Sequence, residues 1–238
     1  MLLYYIRHGD PSYVPDELTN LGKQQASALA KRLASHGIDQ VFTSTSGRAI
    51  ETAQPLCDLL KLNPTLLDWC NEEKLLRLLH GYTGQGYMEW IFRVPEIRRM
   101  FCSNEVRKLG REWYTHPFFD GTNYGVGIQK VQADVDAFLE HLGYRHDLEN
   151  NVYEAVAPND QRVALFAHEG VGAAVLSCIL DIPYPIFTTH FDMTHTGVTV
   201  IEFAENYGVL TPRVLSYDND SHIYREGLPT RFQNKFYF

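Results

Sequence analysis

The sequence predicts an α/β protein with a three-layer α/β/α architecture, in which helices cover both faces of a mostly parallel β-sheet. Short apolar runs alternate along the chain with longer segments of helical periodicity, a pattern typical of layered α/β domains. The apolar runs are hydrophobic at nearly every position, as expected for strands that are buried on both faces. Most of these runs end in a polar turn that a helix follows.

The first strand and the first helix lie at the start of the chain. Leu2 to Ile6 is a continuous apolar run that ends abruptly at Arg7, where a polar loop begins. Thr19 is a suitable N-cap for a helix over residues 20–35, in which alanine and leucine recur at helical spacing. Gly37 supplies the end of that helix.

The second strand and helix repeat the pattern. Val41 to Thr43 predicts a short strand, and Arg48 opens a helix after a Ser-Thr-Ser-Gly turn. Residues 81–125 differ, because Gly, Trp, Tyr, Phe and Arg are mixed there without clear periodicity. We expect an irregular, partly helical insertion that forms a substrate lobe within a single domain over residues 1–238. A helix from about residue 128 to 142 follows it.

The last third of the chain returns to alternating strands and helices. Arg162 to Ala167 predicts a buried strand, and residues 168–172 predict a glycine turn. A helix then continues to Leu180. Residues 198–203 and 209–217 have the pattern of a terminal hairpin.

Composition and charge limit the class of protein. Hydrophobic residues make up 45% of the chain, enough for one sizeable core. The 29 acidic residues exceed the 21 Lys and Arg residues and give a net charge of -8, so we expect no nucleic-acid partner. The sequence contains no run of about 18 consecutive apolar residues, which a membrane span would need. Four dispersed cysteines indicate free thiols, and we therefore expect a cytoplasmic protein. They are Cys57, Cys70, Cys102 and Cys178.

Cationic and imidazole side chains follow three of the predicted strands. Arg7 and His8 come after the first strand, Arg48 after the second and His168 after a later one. Because ligands of open α/β sheets bind at the carboxyl ends of the strands, these residues can face one crevice. Guanidinium groups match the charge that spreads over phosphoryl oxygens during transfer. Neutral imidazole is a nucleophile near pH 7, and His8 is the candidate for that role.

A general acid is needed to protonate the leaving oxygen of a phosphate ester. The candidates are Glu72 and Glu73, which follow the apolar segment 66–69, so that one of them can project over the crevice. We favour Glu72. Adjacent glutamates are also common at a solvated helix start, where they complement the helix dipole, and that alternative stays open.

Five spaced segments then form a recognisable series over nearly the whole chain. They are Arg7-His8-Gly9, Leu18-Thr19-x-x-Gly22-x-x-Gln25-Ala26, Thr43-Ser44 with Arg48-Ala49 and Thr52-Ala53, Ala167-His168-Glu169-Gly170, and Asn219-Asp220-x-His222. The series resembles the histidine phosphatase superfamily, also called phosphoglycerate mutase-like. This resemblance implies a phosphoglycerate mutase-like fold.

The resemblance also implies roles for individual residues. His8 would be the phosphorylated nucleophile, Arg7 and Arg48 would hold the phosphoryl group, and His168 would donate a further hydrogen bond to it. The implied step uses no metal, and we expect no cofactor. The expected substrate contacts are Arg7, Arg48, His168, Glu169 and Gly170.

The chain departs from the family pattern near the first motif. Asp10 stands where many members have Glu or Gln, and the short segment from Gly9 to Leu18 lacks an Asn that often lines the pocket. The sequence therefore does not name the substrate. His195 and His222 are further candidates, either for contact with the ligand or for support of residues that make such contact.

We expect a histidine acid phosphatase-like phosphomonoesterase that hydrolyses a small phosphorylated metabolite through a phosphohistidine at His8. A phosphoglycerate mutase-type phosphotransferase is the nearest alternative, because basic residues in the insertion can anchor a carboxylate. They are Arg93, Arg98, Arg99, Arg107 and Arg111. A non-catalytic phosphate-binding regulatory module is a second alternative.

Two cofactor hypotheses have weak support in the sequence. His8-x-Asp10 is half of a possible metal site, but no Asp-rich or H-x-H set completes it. Gly170-x-Gly172 lacks the full G-x-G-x-x-G spacing of a dinucleotide loop. The sequence does not determine the oligomeric state.

Overall fold

The structure, a computed structural model, describes residues 1–230 and 232. Residues 231 and 233–238, the end of the predicted domain, lie outside the described residues. The strands are β1 (Leu2–Arg7), β2 (Pro11–Tyr13), β3 (Asp16–Leu18), β4 (Gln40–Ser44), β5 (Thr65–Leu67), β6 (His80–Tyr82), β7 (Met88–Trp90), β8 (Tyr144–Asp147), β9 (Val152–Ala155), β10 (Arg162–Ala167), β11 (Val198–Glu202), β12 (Glu205–Asn206), β13 (Val209–Leu210) and β14 (Arg213–Asn219). The α-helices are α1 (Asn20–Ala34), α2 (Gly47–Leu60), α3 (Glu72–Leu76), α4 (Pro95–Phe101), α5 (Asn104–Lys108), α6 (Tyr124–His141), α7 (Glu169–Ile179), α8 (Tyr184–His190) and α9 (Ser221–Arg225).

The described chain divides into two compact units. The first unit contains residues 1–71, residues 158–169 and the described residues from Asp192 onward. The second unit contains residues 72–157 and 170–191, so the predicted insertion over 81–125 is only part of it.

A central sheet organises the first unit. Among the described residues it has six strands in the order β14-β11-β1-β10-β4-β5. β1, β10, β4 and β5 pair in parallel, whereas β11 runs antiparallel to both β1 and β14. This mostly parallel sheet with its helices confirms the predicted α/β class. In the register of β1 with β10, Arg7 lies opposite Ala167. His8 and His168 therefore follow the carboxyl ends of two neighbouring parallel strands.

One face of this sheet packs against α1 and α2. Ile6 and Phe166 of the sheet share a fully buried cluster with Leu29 of α1 and Leu56 of α2. Burial of one such side chain contributes about 1.5–3 kcal/mol to the stability of the fold. Tyr5, which faces the other side of β1, is buried as well, and this accounts for the continuous apolar run of the first strand.

The second unit is built from short elements around an aromatic cluster. Trp113 is fully buried, and its ring centroid lies 5.1 Å from that of Phe101, 5.1 Å from that of Phe119 and 5.8 Å from that of Tyr184. The irregular texture of this region corresponds to short helices, 3-10 turns and the β6–β7 hairpin. The long helix α6 begins at Tyr124, four residues before the predicted start.

The structure corrects two local predictions. The polar loop after Arg7 contains the β2–β3 hairpin. The glycine turn expected at residues 168–172 is part of α7, which begins directly after His168. A Cβ atom on Gly170 would meet Trp90 at 2.1 Å, so close packing and not a turn explains this glycine. The terminal strands β11 and β14 pair as predicted, with the short β12–β13 hairpin between them.

Two further findings concern the cysteines and the helices. All four cysteines are free thiols. None of the helices in the described part of the chain combines the length and the apolar character that a membrane crossing requires.

Candidate active site

His8 lies directly after the first strand, at the centre of the candidate site. Its backbone N–H donates a hydrogen bond of 2.9 Å to the carbonyl oxygen of Ala167 on the neighbouring strand. The side chain is buried, and its Nδ1 lies 2.7 Å from the carbonyl oxygen of Gly9. Because a carbonyl oxygen can only accept, Nδ1 carries the proton and Nε2 keeps its lone pair.

The surroundings of His8 keep the ring neutral. Burial lowers the pKa of His8 well below its usual value; electrostatic coupling to His168 and the positive charges of Arg7 and Arg48 lower it further. The hydrogen bond to Gly9 acts in the opposite direction but does not reverse the shift. A neutral imidazole with an available Nε2 is the protonation state that a nitrogen nucleophile needs.

His168 occupies the equivalent position after β10. Its ring centroid lies 5.2 Å from that of His8. Arg48 Nη2 lies 3.2 Å from Nδ1 of His168, and Ser44 Oγ lies 2.9 Å from its Nε2. Because a guanidinium only donates, Nδ1 accepts and Nε2–H donates to Ser44. Burial, followed by the charges of Arg48 and Arg7, lowers the pKa of His168 well below its usual value.

Arg7 is held from two sides. Its side chain is only 11% exposed, and Nη1 lies 2.9 Å from Oε2 of Glu169, the first residue of α7. The same nitrogen donates a hydrogen bond to the carbonyl oxygen of Met193. Glu169, which we expected to contact substrate, is therefore the carboxylate partner of a phosphate-binding candidate.

Arg48 is the second residue of α2 and is almost completely buried. Its Nη1 lies 2.5 Å from Oδ1 of Asp16, and Oδ2 of Asp16 accepts a hydrogen bond of 2.8 Å from the Gly47 N–H. The ring of Tyr13 lies 5.2 Å from Cζ of Arg48. Sequence reasoning missed Asp16 and Tyr13 because it treated their hairpin as a loop.

Motif residues around His8 connect the end of β1 to helices α1 and α2. Oγ1 of Thr52 accepts the Gly9 N–H at 2.9 Å and donates to the Arg48 carbonyl oxygen at 2.7 Å. A Cβ atom on Gly22 would meet the carbonyl oxygen of Asp10 at 2.3 Å. Gly22 therefore permits close approach of α1 to the loop that carries His8.

Two further imidazoles have different positions in the first unit. The ring centroid of His195 lies 5.6 Å from that of His8, and its Nδ1 lies 3.7 Å from Oδ1 of Asp10. Nε2 of His222 lies 2.9 Å from Oγ1 of Thr196, whose backbone N–H donates to the His8 carbonyl oxygen. His195 is thus a neighbour of the predicted nucleophile, whereas His222 supports the strand end.

Asp218 is another residue that sequence reasoning missed. Its two carboxylate oxygens lie 3.0 and 2.9 Å from the backbone nitrogen of Thr194, at the start of the segment that carries His195. Burial raises the pKa of Asp218 to about 8, although the Thr194 N–H and the charge of Arg7 act in the opposite direction. A Cβ atom on Gly197 would meet Oδ1 of Asp218 at 1.8 Å, so the carboxylate packs closely against this segment.

The remaining predicted site residues belong to the second unit. Glu72 begins α3 and is half-buried. Glu73 is exposed and forms an ion pair with Arg77. Gly170 is the second residue of α7. The first unit by itself therefore brings together the two arginines and the two histidines of the predicted site, with Glu169 beside them.

The sequence matches the histidine phosphatase superfamily (branch 1) over residues 3–213. The chain belongs to this superfamily. The predicted family is therefore confirmed.

Similar proteins come from several organisms. A curated protein of Hydrogenobacter thermophilus, whose name includes the words phosphoserine phosphatase, is 23% identical over 210 residues, which are 84% of this chain and 88% of that protein. The crystal structure of a mutant phosphoserine phosphatase from Entamoeba histolytica, in complex with phosphoserine, has a TM-score of 0.59 at 18% identity and covers 93% of this chain and 98% of its own. A mycobacterial glucosyl-3-phosphoglycerate phosphatase in complex with VO3 has a TM-score of 0.57 at 20% identity. The match covers 91% of this chain and 98% of that chain. These structural likenesses confirm the histidine phosphatase fold.

Proposed function

We propose that this histidine phosphatase superfamily member is a phosphomonoesterase that acts without a metal, through a phosphohistidine at His8. The observation that carries the proposal is a buried, neutral imidazole whose Nε2 keeps its lone pair beside two guanidinium groups and a second imidazole. Membership of the superfamily supports phosphomonoester hydrolysis. The phosphatase names of the relatives support the same reaction.

In the first step, Nε2 of His8 forms a bond to phosphorus while the bond from phosphorus to the leaving oxygen breaks. Arg7 and Arg48 offer guanidinium N–H groups to the equatorial phosphoryl oxygens, where negative charge accumulates. In the second step, a water oxygen attacks phosphorus, the N–P bond breaks and inorganic phosphate is released. The electron pair of that bond returns to Nε2.

The protonation state of His168 is proposed to differ between the substrate-free site and the site with substrate bound. As it stands, Nδ1 of His168 accepts from Arg48, so the ring has no proton there to donate. A phosphate dianion next to the ring favours the protonated form of His168. In that form Nδ1–H donates to a phosphoryl oxygen, and Nε2–H still donates to Ser44. We therefore propose that His168 takes up a proton when substrate binds.

Glu72 is the proposed general acid. It would give its proton to the leaving oxygen in the first step and take a proton from the attacking water in the second. Glu72 is half-buried, whereas Glu73 is exposed and paired with Arg77. Because Arg77 engages the exposed carboxylate of Glu73, Glu72 fits the role better than Glu73.

Contacts of three of the five candidate anchoring arginines support a phosphatase over a mutase. Arg98 donates to the carbonyl oxygens of Phe92 and Thr188 at 3.2 and 3.4 Å. Arg107 donates to the Phe101 carbonyl oxygen at 3.1 Å, and Arg111 pairs with Asp181. These guanidinium groups stabilise the fold of their own unit, so they are poorly available to anchor the carboxylate of a phosphoglycerate.

The proposed substrate is a small phosphorylated metabolite, and the proposed location is the cytoplasm, which the four free thiols support. Phosphoserine and glucosyl-3-phosphoglycerate, named for two relatives, belong first in a substrate panel. We propose that residues 1–238 belong to a single histidine phosphatase domain.

Replacement of the nucleophile tests the proposed function. His8→Ala should lower turnover of p-nitrophenyl phosphate by roughly 10⁴-fold or more, because no phosphoenzyme can form. His36→Ala, which changes an exposed histidine in the same unit, is the matched control. Circular dichroism and a thermal melt establish that both variants are folded. Undiminished turnover by folded His8→Ala would rule out this mechanism.

A further inference from the structure

We propose that Asp16, on the β2–β3 hairpin, is a positioning residue that fixes the guanidinium of Arg48 for phosphoryl binding. This inference rests on the proposed function, because Arg48 is placed there as a phosphate ligand. It adds a residue outside the five motif segments to the machinery of the site.

The two oxygens of the Asp16 carboxylate have different partners. Oδ1 lies 2.5 Å from Nη1 of Arg48, and Oδ2 accepts the Gly47 N–H at 2.8 Å. Asp16 therefore bridges the backbone and the side chain at the first turn of α2. A Cβ atom on Gly47 would meet the Asp16 carbonyl oxygen at 2.1 Å, so the hairpin lies directly against the start of the helix.

The two terminal nitrogens of the Arg48 guanidinium therefore have different partners. Nη1 is taken by Asp16, while Nη2 lies beside His168 at 3.2 Å. The ring of Tyr13, from the same hairpin, lies 5.2 Å from Cζ and limits rotation of the guanidinium plane. The arginine is therefore oriented before substrate binds, and binding does not have to restrict a flexible side chain.

A simpler explanation assigns Asp16 a structural role only. A carboxylate at a helix N-terminus stabilises the helix by accepting N–H groups and by complementing the helix dipole. That explanation accounts for the contact with Gly47 but not for the contact with Arg48. The two explanations differ in whether the effect of Asp16 depends on the Arg48 side chain.

A double-mutant cycle between Asp16 and Arg48 makes this distinction. The variants are Asp16→Ala, Arg48→Ala and the double variant, and the readout is kcat/KM for p-nitrophenyl phosphate and phosphoserine. Asp16→Ala should lower kcat/KM by about 10- to 100-fold in the wild-type background, the effect of losing one charge-assisted contact. In the Arg48→Ala background the same substitution should change it by less than about threefold. Equal effects in both backgrounds would overturn the proposal.

Asp39→Ala is the matched control for the loss of a carboxylate. Oδ2 of Asp39 also accepts a backbone N–H, that of Arg162 at 2.7 Å, but at the opposite end of β10 from His168. Asp39→Ala should keep the wild-type kcat/KM. If Asp16→Ala does no more than this control, the proposal is wrong.

Two measurements keep the test decisive. Asp16→Asn keeps the side-chain volume but presents one acceptor oxygen to two donors, so it should show the same dependence on Arg48 even where Asp16→Ala is poorly folded. Calorimetric titration with inorganic phosphate should show weaker binding to Asp16→Asn than to wild type, and unchanged binding would contradict the proposal. Active His8→Ala would overturn the proposed function itself, whereas inactive His8→Ala with fully active Asp16 variants overturns this inference alone.

Discussion

Each unit of the molecule contains a buried histidine, and the two have opposite electrostatic surroundings. In the first unit, burial, electrostatic coupling to His168 and the positive charges of Arg7 and Arg48 lower the pKa of His8 well below its usual value. In the second unit, burial also lowers the pKa of His146, but Asp136 and Asp181 outweigh it and raise the pKa to about 9. The same side chain is thus neutral in one unit and cationic in the other.

The contacts of the two rings explain this difference. Nδ1 of His146 lies 3.0 Å from Asp136 and Nε2 lies 3.3 Å from Asp181, so both ring nitrogens donate to carboxylates. The ring also stacks on Tyr153 at a centroid distance of 4.1 Å. Both ring nitrogens of His146 are thus committed to stabilising contacts. His8 keeps the Nε2 lone pair, which a nitrogen nucleophile needs.

Removal of the aromatic centre should have the largest effect on the second unit. Trp113→Ala is expected to lower the free energy of unfolding by about 3–5 kcal/mol, because the cluster cannot refill the volume of a buried indole. Phe118→Ala, which removes a partly exposed ring from the same region, should cost less than about 1 kcal/mol. Urea denaturation followed by circular dichroism measures both values. Equal losses would mean that Trp113 is not the packing centre of this unit.

Arg7 offers the corresponding test for the first unit. Arg7→Ala should lower kcat/KM by about 10²–10³-fold, since one preorganised donor to the transition-state charge is lost. Arg162→Ala changes an exposed arginine at the opposite end of the sheet and should keep the wild-type kcat/KM. Steady-state kinetics with p-nitrophenyl phosphate measures the effect. Wild-type kinetics for Arg7→Ala would show that the strand end does not bind the phosphoryl group.

The smallest expected effect is a pH dependence of stability in the second unit. Because the folded-state pKa of His146 is raised to about 9 from an unfolded value near 6.5, its stabilisation is complete below about pH 6.5. The stabilisation is lost as the pH rises through about 9. Wild type should therefore lose more stability than His146→Gln between pH 7 and pH 9.5 in urea denaturation. An identical loss in both proteins would show that His146 is not a buried cation.

The sequence predicted the first unit well because its strands and helices carry local signals. The continuous apolar run of β10 predicted its bounds, and Thr19 caps α1 by accepting the Gly22 N–H at 3.1 Å. The strand-end positions of Arg7, His8, Arg48 and His168 follow from the parallel sheet, so the gathering of these residues was also accessible to sequence reasoning. The family assignment was accessible because the motifs lie in these same segments.

The second unit and the support of the site depend on contacts between segments that are distant in sequence. His146 gains its charge from Asp136 and Asp181, and no local spacing links these three residues. Asp16 and Asp218 were missed for the same reason, because each acts on a different segment of the chain. The roles of the site residues remain predictions, and the proposed experiments test those of Arg7, His8 and Arg48.

The most direct test of the account is to identify the phosphorylated atom during turnover. Wild-type protein is mixed with excess p-nitrophenyl phosphate, quenched in base within milliseconds, digested and mapped by mass spectrometry. We expect one phosphoryl group on His8 that survives base and is lost in acid, as a phosphoramidate should be. A phosphoryl group on another residue, or steady turnover with no phosphorylated His8 at any time, would contradict the account.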